Sequence, residues 1–155
     1  MKMVHINDIF ETKSVKRTIA LCVFTFGIYV IYRLFLLTRQ VNRNVKEPIS
    51  SWFVASAVSV HLISLFGLII YFTAIGNPDL LLFSKLMHLV SSIFHITWLI
   101  KIRNRINLLT GVGERSKFWL NPVLSSFLHV IYFQYKINQL LQINSEQQQA
   151  ECHSI

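Results

Sequence analysis

Acidic residues are scarce in this chain. Seven Asp and Glu stand against 15 Lys and Arg among 155 residues, and charged residues reach only 14%, where an ordinary soluble domain carries about 25%. With 53% hydrophobic residues and a mean hydropathy of +0.48, the chain has more apolar surface than its own interior can hide. The expected solvent is a lipid bilayer. The net charge of +8 falls between the apolar runs, where it meets anionic head groups; nucleic acid is the poorer partner for that pattern.

Cysteine is scarce too. Cys22 lies inside an apolar run and Cys152 in a polar tail, and no CxxC pair exists, so a disulfide framework is not expected. Lys16-Arg17 precedes an apolar run as in a signal peptide, but no A-x-A-like site ends it and Leu21 precedes Cys22, so an unprocessed chain is expected. Paired carboxylates are missing from every apolar run; Asp8, Asp79 and Glu114 are widely separated. Gly111-Val112-Gly113 lacks the Gly-Lys-Ser/Thr of a phosphate loop and reads as a turn, and Ser125-Ser126 lack the Gly-x-Ser-x-Gly context of a hydrolase. These absences predict a protein that is not an enzyme and uses no cofactor or metal.

Four apolar segments are present, at 18–32, 52–72, 80–100 and 118–133, within one membrane domain over 1–143. The second and third each have 21 residues, matching the roughly 20 needed to cross about 30 Å of hydrocarbon. Lys85 sits near the start of the third, where it can snorkel. Between them Gly76-Asn77-Pro78 is turn chemistry and forces an antiparallel transmembrane hairpin. The outer two segments, of 15 and 16 residues, are short for a straight crossing and read as re-entrant. Gly27 supplies a helix bend in the first, and Leu124-Ser125-Ser126-Phe127 occupies the same place in the last. The fold expected is thus an all-α polytopic membrane protein, a central hairpin flanked by two short helical segments. The tail 144–155 is polar and aperiodic, and is expected to be disordered.

Two recurrences point to internal relatedness. At an offset of 100, Val30-Ile31-Tyr32 overlies Val130-Ile131-Tyr132. Arg39-Gln40-Val41-Asn42, Arg105-Ile106-Asn107 and Lys136-Ile137-Asn138 each place a base and an Asn around a β-branched residue, and all read as interfacial anchors. The stretches Leu34 to Lys46 and Ile100 to Leu109 mix bases with apolar residues at helical spacing and are expected along the membrane surface.

Lys16-Arg17-Thr18-Ile19, Thr25-Phe26-Gly27-Ile28-Tyr29-Val30-Ile31-Tyr32 and Leu37-Thr38-Arg39 resemble the opening signature of a family of small bacterial integral-membrane proteins classed as a domain of unknown function. Val130-Ile131-Tyr132-Phe133-Gln134-Tyr135-Lys136-Ile137-Asn138 resembles its closing pattern, so the likeness brackets residues 16–140. Many members carry Trp where Arg33 stands. The resemblance implies a bacterial membrane and no established activity, and it supplies no site residues.

Charge chooses between topologies. Four crossings would put Lys2, Lys13, Lys16, Arg17 and Lys136 outside, against the positive-inside preference. If the outer segments dip in and return, 14 of the 15 Lys and Arg, all but Lys85, face the cytoplasm. The second arrangement is preferred; four tilted crossings are the alternative.

Polar residues within the hairpin are the candidate site, because they are costly in lipid. Ala57, His61, Ser64 and Tyr71 fall near one face of the second segment, and Lys85, His88, Ser92 and His95 follow at steps of three and four on the third. Ser64 and His88 each lie 12 residues from a cytoplasmic end, at Trp52 and Ile100, so they are expected level, with small residues allowing close approach. His88 and His95, seven residues and about 10.5 Å apart along the axis, are too far apart to share a metal. Interhelical packing is the leading reading, and a proton or ion pathway the rival. The expected function is a small non-catalytic protein of the bacterial inner membrane, an accessory or regulatory subunit working through helix contacts with itself or a membrane partner. The alternative is an oligomeric channel or transporter component with a Lys/His-lined pathway.

Overall fold

The structure is a computed structural model that describes residues 6–25, 27–73 and 78–153. It holds six helices, α1 (Ile6–Ile9), α2 (Val15–Phe24), α3 (Ile28–Asn42), α4 (Ser51–Thr73), α5 (Pro78–Thr110) and α6 (Pro122–His153), and no strand among the described residues. The expected turn at Gly76-Asn77 lies outside the described residues.

Local chemistry sets the helix ends. Ser14 caps α2 by accepting the Arg17 N–H at 3.3 Å. Thr25 ends it and opens the next helix, its hydroxyl donating to the Leu21 carbonyl at 2.7 Å and accepting the Tyr29 N–H at 3.0 Å. Gly27, at φ 88°, makes the reversal between α2 and α3 in the left-handed region that glycine adopts without penalty. The first apolar segment is therefore two helices, α2 having only 10 residues. Gly111, at φ 63°, closes α5 in a Schellman motif, with its own N–H on the Leu108 carbonyl and the Val112 N–H on that of Asn107, both at 3.3 Å. Asn121 caps α6 on the N–H groups of Val123 and Leu124, with Pro122 in the first helical position.

The break in α6 is not at Leu124–Phe127. Ser125 and Ser126 donate back to the carbonyls of Asn121 and Pro122 and keep the first turns helical; the chain leaves helical geometry at His129, φ 47° and ψ −133°. Helix α6 also runs on to His153, into the segment expected to be a disordered tail, where Glu146-Gln147-Gln148-Gln149-Ala150-Glu151 is rich in good helix formers.

The chain divides into two compact units: residues up to Pro48 with Ile100 onward, and Ile49–Leu99. In the first, α6 packs against α1, α2 and α3, and α2 against α3. Apolar residues of Leu34–Lys46 and Ile100–Leu109 are buried there, Leu37 and Ile106 among them, while Phe35 and Leu108 are exposed. Leu34, Val41 and Ile102 are 0% exposed. In the second, α4 and the start of α5 keep their apolar surfaces outside. Both are long and apolar enough to cross a membrane, yet only 22% and 11% of their most apolar stretches are buried, where the core helix of a soluble protein would be mostly covered.

Candidate functional site

Within the Ile49–Leu99 unit, polar side chains join α4 to α5. Ser64 Oγ and His88 Nδ1 are hydrogen bonded at 2.5 Å, and His61 Nδ1 and Ser91 Oγ at 3.1 Å. The Phe53 and Phe94 rings meet at 5.8 Å between centroids, and a Cβ on Gly67 would stand 3.9 Å from Phe83 and Ser84. Partner numbers thus fall along α5 as they rise along α4. The helices meet through imidazoles, hydroxyls and rings, with Gly67 set against Phe83 and Ser84. Ala57, Ser64 and Gly67 are buried on α4.

Of the stripe proposed on α5, His88 reaches α4. His88 is itself exposed, as are Lys85 and Ser92, whose hydroxyl turns back to the His88 carbonyl at 2.8 Å, and His95 is half-buried. The serines of the buried face are Ser84 and Ser91, one residue before Lys85 and Ser92. A shift of one residue rotates a helical face by about 100°. The signal was present: Ser84, His88, Ser91 and His95 keep steps of four, three and four without placing a Lys on the buried side.

In the other unit, two asparagines from the recurring base-and-Asn pattern clasp backbone. Asn107 Oδ1 accepts the Leu120 N–H at 3.0 Å and its Nδ2 donates to the Leu120 carbonyl at 3.5 Å. Asn138 does the same to Lys13, accepting its N–H at 3.3 Å and donating to its carbonyl at 2.7 Å. A carboxamide is a peptide-group analogue, so it pairs with a single residue as a neighbouring strand would. The β-branched members Ile106 and Ile137 are buried beside them, and the two asparagines form tertiary clasps. Arg103 strengthens the first, its Nε donating to the Leu120 carbonyl at 2.6 Å while the guanidinium lies 4.5 Å above the Trp119 ring.

The second clasp leads to a group that the sequence reading left among the solvent-facing bases. Arg33 is 3% exposed and Gln134 is 2% exposed. Arg33 Nη2 donates to Gln134 Oε1, and Gln134 Nε2 donates to Asn138 Oδ1 at 2.7 Å and to the Glu11 carbonyl at 3.2 Å. Arg33 Nε is buried without a partner, and no carboxylate among the described residues pairs with Arg33, whereas on the surface Lys13 meets Glu11 at 3.4 Å. A guanidinium keeps its charge inside proteins, and a buried charge without a counter-charge is costly. The legible signal was position: Arg33 stands beside Leu34 on the face that Leu37 and Val41 continue, as Gln134 does with Val130, Ile137 and Leu141. Beside Asn138 a cleft of about 600 Å³ opens between α1 and α6, lined also by Asn7, Thr12, Gln142 and Ser145.

Residues 13–108 match the family described as domain of unknown function DUF4234. The chain belongs to that family. In this DUF4234 chain the matched stretch covers α2 to most of α5, and the likeness read in Val130 to Asn138 lies outside it. No curated protein and no solved structure matches the chain. Among the described residues no group of His, Cys, Asp and Glu is placed to hold a metal ion.

Proposed function

We propose that this chain is a multi-pass protein of the bacterial inner membrane, without catalytic activity of its own, that serves as an accessory or regulatory subunit through helix contacts with a second copy or a membrane-protein partner. In this reading α4 and α5 form an antiparallel membrane-spanning hairpin, and α2 and the first turns of α6 enter the bilayer and return. The observation that carries it is the pairing of Ser64 with His88 and of His61 with Ser91. It engages these polar groups of the hairpin with one another, while Leu62, Phe66, Leu82, Leu89 and Ile93 stay exposed for lipid or another helix. The lengths agree: α2, with 10 residues, is about 15 Å long, half a hydrocarbon core, and the His129 break leaves α6 a still shorter first part, residues 122–128. Basic residues then meet anionic head groups on the cytoplasmic side.

The test is cross-linking of the full chain in its native membrane, followed by purification and by ion-flux measurement in proteoliposomes. A homo-oligomer or a fixed-ratio complex with one integral membrane protein, without selective flux, is the expected result. Selective flux that His88→Leu abolishes at unchanged yield and oligomer size would replace the subunit reading with the channel reading.

A further inference from the structure

The geometry points to an oxyanion-binding site at the Nε–Nη2 edge of Arg33, filled by a carboxylate or phosphate group. Two parallel N–H bonds leave that edge of a guanidinium, and they match the paired oxygens of such a group. Here the edge is half matched. Nη2 meets the neutral Gln134 Oε1, the buried Nε meets nothing, and no carboxylate among the described residues pairs with the charge. A donor and a positive charge are left over at one place, and an oxyanion that displaces the Gln134 oxygen satisfies both. Gln134 is held independently, through its Nε2 on Asn138 and on the Glu11 carbonyl, so its Oε1 can be released without unfastening the side chain.

Two further observations place a ligand there. The cleft between α1 and α6 reaches Asn138, the hydrogen-bond neighbour of Gln134, so bulk solvent approaches within two side chains of Arg33. The helices that carry the pair are both interrupted shortly before it, at Gly27, six residues before Arg33, and at His129, five before Gln134. Membrane proteins build ligand sites where helices are interrupted, and both breaks lie within a turn of a Val-Ile-Tyr stretch, Val30-Ile31-Tyr32 and Val130-Ile131-Tyr132. All these residues lie outside α4 and the membrane-spanning part of α5, so the site stands whether or not the helix-contact reading does.

The ligand group is either a soluble oxyanion or the phosphate of an anionic lipid head group, and thermal unfolding of the delipidated full chain in detergent separates them. Sodium phosphate is compared with sodium chloride at equal ionic strength, and phosphatidylglycerol with phosphatidylcholine. The wild type is expected to gain about 5 °C at saturation. A gain with phosphate assigns a soluble ligand, and a gain with phosphatidylglycerol alone assigns the head group. Gln134→Glu gives Arg33 a carboxylate of its own and should unfold at higher temperature while losing the response. Arg33→Lys keeps the charge without the paired edge and should respond weakly. No gain with either probe, or an equal gain in Gln134→Glu, overturns the site.

Discussion

His88 illustrates how a polar side chain in an apolar helix earns its place through one contact. Its Nδ1 meets Ser64 Oγ, so an exposed residue of α5 reaches in to Ser64, which is 1% exposed. Hydrogen bonds between membrane helices are worth about 0.6 kcal/mol on average. His88→Leu removes that bond and adds apolar volume, so the loss should stay near that size, with yield, insertion and oligomer size unchanged in quantitative immunoblots and size-exclusion profiles. Loss of assembly would show that the pair organises the protein far beyond its bond energy. Arg33 is the opposite case, a residue whose type argued for solvent and whose neighbours in α3 put it inside.

At the scale of elements, the two broken helices matter most. Gly27 makes the α2–α3 break with the residue built for a positive φ, whereas His129 makes the α6 break with a side chain that resists it. The comparison of His129→Gly with His129→Val isolates that backbone term, because both variants lose the imidazole. Val is β-branched and should unfold at lower temperature, less stable than the Gly variant by about 1–3 kcal/mol. Equal stability of the two would mean that α6 is straight through residue 129. The break at Gly27 was legible because glycine announces itself. The one at His129 was not, since histidine is compatible with a helix interior and only the packing of α6 against α1, α2 and α3 selects the break.

For the whole molecule, the division of charge sets the orientation. The proposed re-entrant arrangement puts 14 of 15 Lys and Arg on one side and so expects both ends of the chain in the cytoplasm. Single cysteines at Asn7 and Ser145, in a variant lacking Cys22 and Cys152, should resist an impermeant thiol reagent in intact cells, while a cysteine at Asn77 should react. Reaction at both ends would establish four crossings and reverse the arrangement of α2 and α6.

Composition and periodicity by themselves determined the two long apolar helices and the level at which Ser64 meets His88, since each depends only on how many apolar residues stand in a row and at what step. The face of α5 was open to a one-residue ambiguity, and only the tertiary structure decided for Ser84 and Ser91 over Lys85 and Ser92. The asparagines were visible as a repeated pattern, but their clasp on Leu120 and Lys13 joins positions 13 and 125 residues apart. The buried Arg33–Gln134 pair spans 101 residues. Local sequence carries no record of such distances, because a side chain's partner is set by how the helices pack and not by its neighbours in the chain.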